Sequence, residues 1–112
     1  MSRLLLAVVL AAATASCSYV EATSTQYSGV ERFPPVEPVS VRVLPAEPRE
    51  RHDRLGEVLL DLSVDSAPPV ADIEERLRRE AAKWGADAVY IVRDSKTSRE
   101  HKVVALAIRF RR

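Results

Sequence analysis

The sequence predicts an α+β domain in the order β-β-α-β-β, a four-stranded mixed sheet with one amphipathic helix packed on one face. Three observations carry this. Val58, Leu60, Leu62 and Val64 alternate with Glu57, Leu59, Asp61 and Ser63, and Val104, Leu106, Ile108 and Phe110 alternate with Val103, Ala105, Ala107 and Arg109. Period two is the mark of a strand with one buried face. Between these runs, Val70, Ile73, Leu77, Ala81 and Trp84 recur at three- and four-residue steps, the apolar stripe of a helix. Ala88 to Val92 is almost wholly apolar and reads as a covered, central strand.

The chain has 112 residues, room for one small domain, and its 46% hydrophobic and 29% charged content is that of a folded protein. The first 16 residues stand apart from that domain. Arg3 is followed by Leu4 to Ala13 without a polar side chain, then by Thr14-Ala15-Ser16-Cys17. A basic start, a short apolar run and a small-residue cleavage region form a secretory signal peptide. The run is too short for a bilayer span, which needs roughly 20 residues. Ala15-Ser16 before Cys17, the sole cysteine, resembles a bacterial lipobox, in which the thiol is diacylated before cleavage on its amino side. Ala13-Thr14-Ala15 also satisfies ordinary signal peptidase, which would release a soluble protein carrying a spare thiol. We take Cys17 as the lipid attachment site. Two or more acyl chains hold a protein firmly on a bilayer, at about 0.8 kcal/mol per buried CH₂. In the lipoproteins this N-terminus resembles, Ser rather than Asp after the cysteine favours the outer membrane. The expected location is therefore the outer membrane, facing the periplasm.

Cleavage before Cys17 removes Arg3 and leaves 16 basic against 16 acidic side chains. This balance gives no footprint for nucleic acid. A single cysteine also excludes an intrachain disulfide, so the core alone must hold the fold.

Residues 17–38 read as the lipidated cysteine and a flexible linker. "SYVEATSTQYSGVERFPPVEP" shows no period, and Pro34, Pro35 and Pro38 gather at its end. Tyr19, Tyr27 and Phe33 within it are candidates for docking on a partner. The domain proper is placed at 39–112. Val39, Val41 and Val43 alternate with Ser40 and Arg42 as a first strand, stopped by Pro45 and Pro48.

Pro69 suits the first turn of the helix, where its missing N–H costs nothing. Glu74 with Arg78 and Glu75 with Arg79 form i,i+4 pairs in the favoured order, each worth about 0.2–0.5 kcal/mol. Gly85 is placed to end the helix in a left-handed conformation. Asp87 follows it and is read as a turn residue accepting backbone N–H groups rather than as a catalytic acid, since no second titratable group accompanies it. The strand–helix–strand unit predicts a crossover linking parallel neighbours. The sheet face left open is expected to carry Val103, Ala105 and Ala107, a surface that would suit a homo-oligomer or another partner.

Leu55-Gly56-Glu57-Val58 opening a strand, and Gly85-Ala86-Asp87-Ala88-Val89 joining helix to strand, resemble the small α/β module of bacterial envelope proteins. That module is found in the outer-membrane lipoprotein sensor of the Rcs phosphorelay and in the YbjQ-like putative heavy-metal-binding family. The resemblance spans roughly residues 43 to 110. It implies a small α/β fold and a place in the cell envelope.

No G-x-S-x-G, H-E-x-x-H or phosphate-cradling glycine loop occurs. His52, Asp53 and His101 are the candidate metal ligands, but their spacing is not that of a zinc site, and they read as surface residues. The expectation is a non-enzymatic lipoprotein without a cofactor, whose domain binds an envelope protein or senses envelope state. The alternative is a periplasmic module for a small ligand or metal.

Overall fold

The computed structural model describes residues 18–112. The signal peptide and Cys17 lie outside the described residues. The domain is α+β, with one α-helix, α1 (Val70–Ala82), on a five-stranded mixed sheet. The strands are β1 (Val20–Gln26), β2 (Arg42–Leu44), β3 (His52–Leu62), β4 (Ala88–Lys96) and β5 (His101–Phe110). Their spatial order is β1-β3-β5-β4-β2.

The fifth strand comes from the segment expected to be a linker. β1 pairs antiparallel with β3 over seven residues, from Val20 opposite Leu62 to Gln26 opposite Gly56. Val20 and Ala22 pack on the core, and beyond the strand so do Val30, Phe33 and Val36. The Val36 N–H donates to the Ala82 carbonyl at 3.0 Å, which pins this stretch across the end of the helix. Residues 20–38 are thus part of the domain.

Two further expectations are corrected. Val39 is not in a strand: Pro38–Ser40 form a single 3-10 turn, Val39 is 88% exposed, and β2 is only Arg42–Leu44. Proline at the first position of that turn fixes φ where a helical turn needs it. Nor are the strands flanking the helix neighbours. β5 inserts between β3 and β4, antiparallel to both, and the parallel neighbour of β4 is β2. The short turn at Thr97–Glu100 sets β5 against β4 as a tight hairpin, and the other edge of β5 takes β3 as its partner over ten residue pairs.

The core lies between α1 and one sheet face. Leu77, Ala81 and Trp84 from the helix stripe pack against Val58, Leu60, Leu62, Val89, Val103, Ala105 and Ala107. Ile73 is half-buried, and Val70, at the start of the stripe, is exposed. The opposite sheet face carries a smaller cluster, Ala88, Tyr90, Leu106 and Ile108, with Tyr27, Leu44 and Phe110 packed around it. Val103, Ala105 and Ala107, expected on the open face, are therefore beneath the helix. An oligomer through them is excluded by burial.

Both helical pairs are present, Glu74–Arg78 at 3.7 Å and Glu75–Arg79 at 3.3 Å. Glu80 is the exception on this helix, a carboxylate only 4% exposed. Ser24 of β1 donates to it, as do Arg76 Nε at 3.0 Å and Lys83 Nζ at 2.9 Å. Arg76 also reaches the Val20 carbonyl at 3.2 Å. A buried charge must be paired to be tolerated, and here the pairing ties β1 to α1. Burial would raise the Glu80 carboxyl, but the hydrogen bonds from Ser24, Lys83 and Arg76 outweigh it and hold its pKa below the ordinary 4.5.

Candidate functional site

The helix-to-strand junction holds Gly85 and Asp87. Gly85 has φ 72°. Its N–H donates to the Ala82 carbonyl at 3.1 Å, and the Ala86 N–H donates to Ala81 at 3.3 Å, the paired bonds of a Schellman stop. A side chain here would also strike the Pro34 carbonyl and the Phe33 Cβ, at 2.6 and 2.8 Å from an ideal Cβ. Arg109 lies over the Phe33 ring, 3.9 Å from its centroid, and donates to the Gly85 carbonyl at 2.8 Å.

Asp87 works across strands rather than within its turn. Its Oδ2 accepts the Phe110 N–H at 2.8 Å and its Oδ1 accepts from Arg112 at 3.1 Å. It therefore holds the end of β5. Trp84, 9% exposed, reaches over β3 to Gly56, where a Cβ would sit 2.7 Å from the indole ring. The two short motifs of the sequence, around Gly56 and Gly85, thus meet in space through Trp84.

A second polar group lies at the same end of the sheet. His52 opens β3 with its ring edge-on to Tyr90 and Phe110, each centroid 6.4 Å away. Its Nδ1 is 2.6 Å from the Glu50 carbonyl and its Nε2 is 3.1 Å from Glu47, which also accepts from Arg54 at 3.2 Å. The hydrogen bonds from Arg54, then from His52, hold the Glu47 carboxyl below its usual range. Tyr90 lies beneath, its hydroxyl buried beside Arg54 and Glu47 without a hydrogen bond of ordinary geometry. Burial pushes its pKa above 10.0. Asp53 pairs instead with Arg111 at 2.8 Å, and that hydrogen bond lowers the Asp53 carboxyl.

His101 is elsewhere. It opens β5 opposite Leu62 and Lys96 and sits 2.7 Å from Asp94. Nine ladder positions separate it from the partner of His52, roughly 30 Å at about 3.3 Å per residue. His52, Asp53 and His101 therefore do not form one metal site, and among the described residues no group of three or more His, Cys, Asp or Glu is placed to hold a metal.

One recess went unread in the sequence. An open groove of about 850 Å³ runs beside the edge strand β2, lined by Pro38, Val39, Val41, Leu44 and the charged Arg42 and Arg78, with Glu37 and Glu75. The proline-initiated turn that presents Val39 was its available signal.

Cys17 immediately precedes the described residues, and the fold takes hold two positions later. The Tyr19 N–H donates to Ser63 Oγ at 3.0 Å, and the Tyr19 carbonyl accepts the Ser63 N–H at 3.2 Å. Among the described residues no helix is long and apolar enough to cross a membrane.

No protein-family model matches the chain, and no curated protein matches it. In solved structures the chain is similar in fold to the Francisella virulence factor FvfA. The match has a TM-score of 0.58 and 18% identity, and covers 84% of this chain and 100% of that one.

Proposed function

We propose that this chain is a non-enzymatic lipoprotein of the outer membrane, lipidated on Cys17, whose α+β domain faces the periplasm and binds an envelope protein. The observation that carries this reading is the position of the only cysteine. Cys17 stands between a short apolar leader and Tyr19, the first residue whose backbone is bonded into the sheet. A thiol at that junction has no disulfide partner in the chain and is the residue the lipobox-like Ala15-Ser16 presents for acylation.

The polar groups of the domain support a binding rather than a catalytic reading. Glu47, Asp53, Glu80 and Asp87 are each spent on a cation or a backbone N–H of the fold. The groove beside β2, with exposed Val39 between Arg42, Arg78, Glu37 and Glu75, is the surface that suits a protein partner, an apolar contact rimmed by both signs of charge.

Labelled palmitate fed to cells producing the full chain tests the anchor. Label enters the wild type and is absent from Cys17→Ser; equal labelling of both contradicts the reading.

A further inference from the structure

The segment expected to be a flexible linker instead opens with β1, so an anchor on Cys17 would bring one particular end of the domain to the bilayer. Two residues span at most about 7 Å. Cys17 is therefore held within that reach of Tyr19, which is itself bonded to Ser63 through both its N–H and its carbonyl. The anchor-bearing end of the sheet is defined by Val20, Leu62, His101 and Lys96, which lie level with one another across β1, β3, β5 and β4. The Ser63–Pro69 loop and the first turn of α1 belong to the same end, and Tyr19 lines one recess together with Pro68 and Asp72.

This end also carries apolar side chains that the fold leaves outside. Tyr19 is 48% exposed and Val70 is 69% exposed, and Ala67 and Pro69, close to Val70 in the chain, are exposed too. Val70 is the first residue of the helix stripe, yet it stands off the core. Tyrosine with small apolar neighbours fits the headgroup boundary, where the ring is in apolar surroundings and the hydroxyl in water. The charged Asp72, Glu75, Arg76 and Arg79 line the same recess as Tyr19, so the ring borders side chains of both signs.

Resting on the lipidation of Cys17 proposed above, we propose that Tyr19, Ala67, Pro69 and Val70 form a membrane-contact patch that seats this end of the domain in the lipid headgroups. The patch is too small to recruit a free protein. It does not need to, because a two-residue tether keeps it beside the bilayer at high effective concentration. The contact decides which side faces down, and it points Trp84, the Glu47–His52 cluster and the β2 groove away from the lipid.

Trp84, the only tryptophan, is a built-in reporter of the far end. It lies on Gly56, six ladder positions from Leu62 and so roughly 20 Å from the anchor end. The full chain, processed in cells and reconstituted in phosphatidylcholine vesicles with brominated acyl chains, supplies the test. Wild-type emission is quenched by less than about one tenth, whereas the emission added by Val70→Trp, and separately by Tyr19→Trp, is quenched by about half or more. Both positions are exposed or half-exposed, so both variants keep the fold. The mass of Cys17 is read on the same samples. Added emission as unquenched as that of Trp84, in protein whose Cys17 carries acyl chains, overturns the patch. A bare Cys17 overturns the lipoprotein reading itself, and the patch falls with it.

Discussion

The two faces of the sheet solve the same burial problem in opposite ways. Beneath α1 the residues of β5 are Val103, Ala105 and Ala107, and β3 offers Gly56 followed by Val58, Leu60 and Leu62. On the uncovered face β5 offers Leu106, Ile108 and Phe110, and β4 offers Tyr90. A helix brings its own bulk, here Leu77 and Trp84, so β5 and Gly56 below it can be low. A face with no second layer must cover itself with large side chains and with the stems of charged ones such as Arg54. In β5 the larger residues therefore lie on the face that lacks a helix, whereas β3 places Val58, Leu60 and Leu62 beneath it. The usual expectation that the bulkiest alternation faces the core assigns β5 the wrong way round.

Mutation of each face sharpens this contrast. The largest effect is expected where the helix supplies the bulk. Trp84→Ala removes the ring that fills the space above Gly56 and lowers stability by about 3 kcal/mol or more in a urea melt. A near-zero loss would mean that Trp84 does not pack over Gly56.

A smaller, pH-dependent loss is expected at the edge of the helix-covered face. The Glu80 pKa is lower in the fold than in the unfolded chain, so its contribution is present above about pH 4.5 and disappears as pH falls through the folded value. Glu80→Gln costs about 1–3 kcal/mol near neutral pH, since the charged hydrogen bonds to Arg76 and Lys83 are lost. The gap between variant and wild type narrows in melts taken below pH 4.5. A constant gap would assign the effect to packing.

The smallest effect is expected on the uncovered face. The Tyr90 hydroxyl is buried beside Arg54 and Glu47 without a hydrogen bond of ordinary geometry, so Tyr90→Phe removes a polar group that gains little from the fold. Stability is unchanged within about 0.5 kcal/mol or rises; a loss of about 1 kcal/mol or more would show that Arg54 or Glu47 uses the hydroxyl.

The helix and the two central hydrophobic strands were legible because their periods are long and carried by large apolar residues. The position of Gly85 was legible because only its backbone freedom suits the turn at φ 72°. β1 was not. Its inward residues, Val20, Ala22, Ser24 and Gln26, grow more polar along the strand, so alternation of hydropathy fades where the pairing continues. The β-branched Val20, Thr23 and Thr25 were the remaining signal, a propensity weaker than periodicity. Strand order was hidden for another reason: the turn at Thr97–Glu100 sets β5 beside β4, but the pairing of β5 with β3 joins segments some 40 residues apart, which no local pattern reveals. The role of Asp87 was half legible. Its carboxylate accepts a backbone N–H, but from Phe110, 23 residues away, a partner that local turn chemistry does not reveal.

Amide hydrogen exchange of the processed protein shows whether the residues after Cys17 belong to the sheet. Tyr27 donates to Leu55, and antiparallel alternation gives Glu21, Thr23 and Thr25 the same inward orientation, while Ala22, Ser24 and Gln26 point their N–H groups to the open edge. Slow exchange is expected at Glu21, Thr23, Thr25 and Tyr27, alternating with faster exchange at Ala22, Ser24 and Gln26. Uniformly rapid exchange from Val20 to Tyr27 would make this segment a free tether and contradict its place in the sheet.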